Sequence, residues 1–336
     1  GYHFSDTAGD FSYSDDNGTP FNPNDDRTVK RQNNASTRHG LLAKWEHRFE
    51  KLSLEFQDDF FREERGIPGL GTRQSTNANL ETTRNGAHLK IARPFSHLQL
   101  SATPFFQFLN QQFRDPNGEV SLGFQNNDND TLQYGTNLSA NTLIGRHQRL
   151  AFLVTYRGEQ FLPKDYTKTP SSGPKSLRDA TSLSLEDEIN LWDDRLVLNP
   201  QVRTEQVFNR FPGTNVSYFP VSGKIGARAR LLPFLTVQSN FSRSYRIPNF
   251  NELFGNRGTI IGNPNLSPER GINWDIGPTF QWKPVRFEVA YFLNHVSDLI
   301  QFLQTSQFNI EAQNLASARI QGIEASLATA PLDWLE

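Results

Sequence analysis

Apolar residues recur at every second position over runs of about a dozen residues, and this period of two limits what the chain can fold into more than any other feature. Between positions 98 and 109, Leu98, Leu100, Ala102, Pro104, Phe106 and Phe108 alternate with Gln99, Ser101, Thr103 and Gln107. Between 272 and 282, Ile272, Trp274, Ile276, Pro278, Phe280 and Trp282 alternate with Asn273, Asp275, Gly277, Thr279 and Gln281. The same rhythm runs through 52–56, 134–144, 150–156 and 219–231. Successive side chains of a strand point to opposite faces, so the pattern predicts strands that are apolar on one side and polar on the other. No convincing run has a helical period, apart from short pieces inside loops. A soluble sandwich or propeller also alternates, but its strands average ~5–6 residues, and these run to about twice that.

The connections alternate in length. Very short turns centre on Lys51, His97, His147, Asp193, Pro233, Pro284 and Leu332, at intervals of 40 to 51 residues. Long polar segments lie between them, near 14–36, 63–84, 111–131, 162–179, 209–217, 247–271 and 298–315. Each interval therefore holds two strands and one long loop, and ~9–11 tilted residues suffice to cross a bilayer. Short turns at one rim and long loops at the other are the arrangement of an outer-membrane barrel with its long loops outside the cell. The fold class expected is all-β: an antiparallel transmembrane β-barrel with about fourteen strands in this chain.

Composition agrees. Apolar residues make up 36% of the chain, against ~45–50% in soluble globular domains. Yet aromatics reach 12%, with 27 Phe, and disordered chains are poor in aromatics. The polar strand face carries Lys44, Glu46, Arg48, Glu55, Glu186, Glu188, Arg203, Glu205, Lys224, Arg228 and Arg230. Unpaired charges in a dry interior are costly, so a wet lumen or a polar plug is expected behind them. The formal net charge of −2 gives no reason to expect nucleic acid as a partner. The absence of Cys excludes disulfides, thiolate metal sites and Cys nucleophiles. With no Met either, the expectation is a mature or truncated piece, any signal peptide lying upstream.

No constellation supports catalysis, and an enzyme is not expected. P-loop, GxSxG and HExxH motifs are missing, and the seven His are scattered. Asp58 and Asp59 are adjacent, so on a strand they face opposite sides. The glycine-rich run at 66–71 reads as a turn at a loop base. Two acidic clusters, Asp15, Asp16, Asn17, Asp25 and Asp26, and Asn126, Asn127, Asp128, Asn129 and Asp130, offer the hard oxygen ligands that suit Ca²⁺, although Asn/Asp-rich turns are also ordinary loop chemistry. The loop aromatics Phe21, Phe113, Phe124 and Tyr166 are the candidates to stack on a ligand.

From Arg243 the sequence becomes distinctive. It reads Arg243-Ser244-Tyr245-Arg246-Ile247-Pro248-Asn249-Phe250-Asn251-Glu252-Leu253-Phe254-Gly255, then Gly262-Asn263-Pro264-Asn265-Leu266-Ser267-Pro268-Glu269. This resembles the signature of TonB-dependent outer-membrane receptors. Asn314-Leu315-Ala316, Arg319-Ile320-Gln321-Gly322-Ile323-Glu324, Arg31-Gln32-Asn33-Asn34 and Arg65-Gly66-Ile67-Pro68-Gly69 are similar to other elements of that family. The motif residues Arg246, Pro248, Asn251, Glu252, Leu253, Gly262, Asn263, Pro264, Leu266, Pro268 and Glu269 are read as holding a loop shape. Pro264 and Pro268 fix φ, and Gly262 is expected to supply a conformation closed to other residues.

The resemblance implies more. Family members carry an N-terminal plug with a TonB-contacting box, then a barrel of about 22 strands. Residues 1–336 would be part of that barrel, with the plug and the final strands not in the chain. The implied function is import of a scarce, bulky nutrient across the bacterial outer membrane, such as a ferric siderophore or cobalamin. The run Val296-Ser297-Asp298-Leu299-Ile300 leans toward the cobalamin-receptor-like branch. Implied partners are the TonB energy-coupling system, a metal chelate or cobalamin, and outer-membrane lipid with lipopolysaccharide. The alternatives are a passive porin and a surface adhesion barrel.

Overall fold

The computed structural model describes residues 1–121, 123–257, 260–306, 309–315 and 317–329. Ala316 and the turn expected at Leu332 lie outside them. Fourteen strands follow one another in a single antiparallel sheet. They are β1 (Tyr2–Thr7), β2 (Ser36–Arg48), β3 (Ser53–Gly66), β4 (Asn79–Pro94), β5 (Leu98–Asp115), β6 (Gln125–Ile144) and β7 (Gln148–Asp165). The series continues with β8 (Ser176–Leu191), β9 (Leu196–Phe211), β10 (Val221–Leu232), β11 (Leu235–Arg246), β12 (Glu269–Trp282), β13 (Val285–Ser297) and β14 (Ser317–Thr329). Each strand pairs with its predecessor and successor in the chain, and a short strand, Thr214–Tyr218, pairs in addition with β9. The outermost strands, β1 and β14, are not paired with each other.

The register separates two faces. Phe106 stands opposite Tyr134, Phe241 opposite Trp274, and Trp274 opposite Leu293. These side chains point away from the lumen and stay uncovered, Phe106 being 44% and Trp274 37% exposed. Leu41, Trp45, Phe56, Leu138, Phe152, Leu183, Val202, Ile225 and Leu327 continue the uncovered surface around the sheet. Water-soluble proteins rarely expose apolar patches beyond a few hundred Å²; a lipid-facing wall requires one. The opposite face carries ladders such as Arg84–Asp59 at 2.6 Å and Arg38–Glu63 at 2.7 Å.

At the long-loop end the strands run further than the apolar pattern does. β5 has 18 residues and β6 has 20, more than ~9–11 needed for the bilayer. Above the membrane neither face meets lipid, so the alternation fades while backbone pairing continues. Two expectations are corrected by this. Phe113 lies on β5 and is 6% exposed, so it packs rather than waits for a ligand. Residues 126–130 form part of β6 instead of a loop.

Candidate functional site

Among the described residues few apolar side chains are buried, and half of them gather beneath one loop. Pro248 cannot extend the β11 ladder, and Asn249 next turns the chain into a one-turn helix, α1 (Phe250–Phe254). Asn249 Oδ1 accepts from the Glu252 backbone N–H at 2.9 Å, and Glu252 Oε2 accepts from the Asn249 N–H at 2.8 Å, a reciprocal cap that fixes the helix start. The helix folds inward and buries Phe250 and Leu253, together with Leu266, against Phe161 of β7, Phe211 of β9, Ile300 and Ala312. Phe161 stacks on Phe250 with ring centres 5.5 Å apart, and Phe211 meets Phe254 edge-on at 5.0 Å. The loop that leaves β11 thus reaches back across β9 and β8 to β7.

Charge pins the base of this loop. Arg246 Nε and Nη2 donate to the two Glu269 oxygens at 2.7 and 2.6 Å, while Nη1 donates to both Glu252 oxygens at 2.9 Å. Glu269 also accepts from the Ile300 N–H at 2.8 Å, which ties in the loop after β13. The hydrogen bonds from Arg246 hold the Glu269 carboxyl below its ordinary value, despite desolvation. A carboxyl whose folded pKa is depressed stabilises above its unfolded pKa and loses that contribution as pH falls through the folded value. Protease resistance of residues 247–268 is therefore expected to stay constant from pH 7 to about 5, and to fall only below the ordinary glutamate value of 4.5. Loosening already at pH 6, followed by limited proteolysis, would contradict the assignment.

The Gly262–Glu269 run interlocks with the next loop. Asn263 accepts from Asn265 N–H at 3.0 Å and donates through Nδ2 to the Ala312 carbonyl at 3.1 Å. Asn314 accepts from Ser267 N–H at 2.9 Å and donates to the Ser267 and Asp298 carbonyls at 3.0 and 2.6 Å. At Gly262 the expected reason for glycine is corrected. Its φ is not in the left-handed region; instead a Cβ would sit 2.1 Å from the Phe254 carbonyl carbon and 2.2 Å from the Gly255 nitrogen. Close backbone approach, not an unusual turn, demands glycine there.

Sequence reasoning missed Arg178. It stands on the inner face of β8 with its side chain 5% exposed. Nε donates to Asn209 Oδ1 at 2.7 Å, Nη2 to the Pro248 carbonyl at 2.8 Å, and the guanidinium lies 4.9 Å from the Phe250 ring centre. From it a ladder runs down the lumen wall: Arg178–Glu159 at 3.4 Å, Glu159–Arg157 at 2.9 Å, Arg157–Glu205 at 3.7 Å and Glu205–Arg203 at 3.5 Å. Its only local signal was a cation alternating with small residues, Ala180, Ser182 and Ser184.

A second tether joins earlier loops. Asn33 Nδ2 donates to the Ala78 carbonyl at 2.7 Å and the Ile67 carbonyl at 3.1 Å, and Arg31 donates to the Gly69 carbonyl. Glu119 accepts from the backbone N–H groups of Thr76 and Asn77, each at 2.8 Å, and from Ser75 Oγ at 2.7 Å. Those donors hold its carboxyl far below the ordinary range.

The remaining candidates are dispersed. Phe21 and Phe124 are exposed, and exposed Tyr166 donates to Asp128 Oδ2 at 3.2 Å. Asp15 is buried beside Arg27 at 3.5 Å, Asp16 accepts from Gly18 N–H at 3.1 Å, and Asp25 accepts from Thr19 Oγ1 at 2.7 Å. Asp26 follows Asp25 at the end of a short 3₁₀ turn, Pro23–Asp25. Asp128 and Asp130 share Lys164, at 3.8 and 2.6 Å. Among the described residues, no three His, Asp or Glu side chains converge on one metal position.

Comparison with known proteins agrees with this architecture. A family model described as "TonB dependent receptor-like, beta-barrel" matches residues 1–335. The FrpB iron transporter of Neisseria meningitidis superposes with a TM-score of 0.73 at 15% identity, over 98% of this chain and 54% of that one. The hemophore receptor HasR of Serratia marcescens superposes with a TM-score of 0.65 at 15% identity, over 87% of this chain and 52% of that one. Heme/hemopexin utilization protein C of Haemophilus influenzae is 25% identical over a match that covers 43% of this chain and 24% of that protein. The chain spans about half the length of the structural relatives it matches. With its membrane-facing wall, its charged inner face and its tethered loops, it belongs to the TonB-dependent receptor β-barrel family of the bacterial outer membrane.

Proposed function

We propose that this chain supplies the wall and outer loops of a transporter that imports a metal already held in its own chelator, driven through TonB. What supports this most is the loop that leaves β11, whose Phe250, Leu253 and Leu266 fold inward onto the lumen wall and whose base is fixed there by Arg246 and Arg178. A passive pore needs an open mouth, whereas a gated importer can place an ordered loop across it. The chelated form follows from the side chains at hand. Cys and Met are absent from the sequence, and no metal-binding group of His, Asp or Glu exists among the described residues. Such a wall has little to strip a bare metal with, but much with which to hydrogen-bond a ready-made complex. Ferric siderophores, heme and cobalamin all fit that description, and the iron and heme names of the relatives favour the first two.

The test is growth and uptake in cells lacking the full-length gene, supplied with ferric siderophores, heme or cobalamin in turn. Uptake of one chelate is expected to vanish, to return with the gene, and to be absent in cells without TonB. Uptake that persists without TonB would favour a passive channel; unchanged uptake with lost surface adhesion would favour a binding barrel.

A further inference from the structure

On much of the inner face a cation has an acid beside it. Arg84 has Asp59, Arg38 has Glu63, and the ladder from Arg178 to Arg203 alternates in sign. β10 breaks this rule. Val221 and Ile225 are exposed on the lipid face, so alternation along the strand turns Lys224, Arg228 and Arg230 into the lumen. All three are exposed there, and among the described residues none of them meets a carboxylate. Alongside them neither neighbouring strand supplies an acid. Lys224 stands between Gln201 of β9 and Ser242 of β11, Gly226 between Asn199 and Asn240, and Arg228 between Val197 and Gln238. Glu186 and Asp275 lie one strand further out, opposite Gln201 and Asn240.

At its upper end this stripe opens into a cavity of about 220 Å³, whose lining includes Gln201, Arg203, Ser222, Lys224, Ser242 and Ser244. Ser244 is two residues below Arg246, so the cavity lies under the base of the inward loop. Arg203 and Lys224 sit on a diagonal of the β9–β10 pair, with Cβ atoms roughly 7–8 Å apart. Arg203 gives one contact to Glu205 at 3.5 Å, which leaves most of its donors for a ligand, and Lys224 brings three more. Ser242 Oγ accepts from Asn273 Nδ2 at 3.3 Å and keeps its own hydrogen to donate. Whole small-molecule sites run ~300–1,000 Å³, so this space suits one end of a ligand. From Lys224 six steps lead down to Arg230, about 15 Å of descent at ~3.3 Å per residue and a tilt of about 40°.

We propose that this cavity binds the carboxylate groups of an acidic metal chelate, and that the stripe below it draws the same groups toward the short-turn rim. Guanidinium and ammonium hold carboxylate oxygens through charge-assisted hydrogen bonds. In a wet lumen each hold is weak, and several weak sites in series let a charged solute enter and leave again. The inference rests on the import reading above and narrows it: an acidic chelate fits this wall, whereas an uncharged one gains nothing from it.

The experiment uses the full-length protein in detergent at low salt, titrated with tricarballylate as a metal-free polycarboxylate probe and read by calorimetry. Folding of each variant is verified by mobility before and after heating. Arg203→Gln and Lys224→Gln are each expected to weaken binding roughly tenfold, and both together about 100-fold. Lys224→Arg should keep most of the affinity. The trimethyl ester of the probe, which carries no charge, should not bind. Arg84→Gln, at a luminal arginine already paired with Asp59, should bind normally. If the double variant does not fold, Lys224→Gln with Ser242→Ala replaces it, with a loss of about 30-fold expected. No binding by the unaltered protein, equal binding of the ester, undiminished binding by the cavity variants, or an equal loss in Arg84→Gln would each overturn the proposal. Binding that fails in the cavity variants, in a protein whose gene restores no chelate uptake, would retire the import reading and leave the carboxylate site standing.

Discussion

Replacing Arg246 with alanine is expected to release residues 247–268 from the lumen wall while the fourteen-stranded sheet stays folded. The substitution leaves Glu252 and Glu269, whose side chains are 8% and 11% exposed, facing each other without their shared cation. Removing one partner of a buried ion pair costs ~3–5 kcal/mol. Because Arg246 itself is partly open to water, about 2–4 kcal/mol is the better expectation here. The burial of Phe250, Leu253 and Leu266 works together with these ion pairs against the entropy cost of ordering the loop, so loss of the anchor is expected to shift the loop toward the open state. Limited proteolysis should cut the variant within 247–268 far faster than the parent, and amide exchange should rise at Ile300, whose N–H donates to Glu269. Lysine should not rescue it, since one ammonium cannot serve four carboxylate oxygens in the plane that the guanidinium spans. Unchanged protection would show that the apolar cluster holds the loop alone.

The membrane-spanning part of this fold was written openly in the sequence. Lys51, His97, His147, Asp193, Pro233 and Pro284 all fall in the short connections between paired strands. They were legible because a lipid face and a water face impose opposite chemistries on neighbouring residues, and that contrast stops at a turn. The upper ends of the strands were not legible, because neither face meets lipid there: Phe113 is packed by protein on the inner side, and the lipid-against-water contrast is gone. The motif residues were visible as a signature, but not what they hold. Arg178 reaches the Pro248 carbonyl across 70 positions of sequence, and only the return of the loop over β8 creates that contact. Phe250, Leu253 and Phe254, spaced by three and four in an otherwise polar loop, were the readable sign that this segment buries itself.

Asn240→Arg and Phe241→Arg place the same charge at neighbouring positions, yet opposite outcomes are expected. Phe241 sits on the outer face between Ile225 and Trp274. Six steps above Leu235, it is about 15 Å up a tilted strand, near the middle of the apolar band. Arginine there should cost ~2–4 kcal/mol, and the packing against Trp274 would be lost as well. Asn240 faces inward, and its Nδ2 donates to Asp275 Oδ1 at 3.0 Å. An arginine at that position meets a carboxylate already waiting for a donor, so a change within about 1 kcal/mol is expected. Denaturant titration of both variants folded into lipid vesicles measures the difference directly. Similar losses at the two positions would mean that lipid does not touch one face while water wets the other. A larger loss at Asn240 would mean the two faces are exchanged. Because the residues are adjacent, height in the membrane, strand propensity and added charge are matched, and only the direction of the side chain separates the two results.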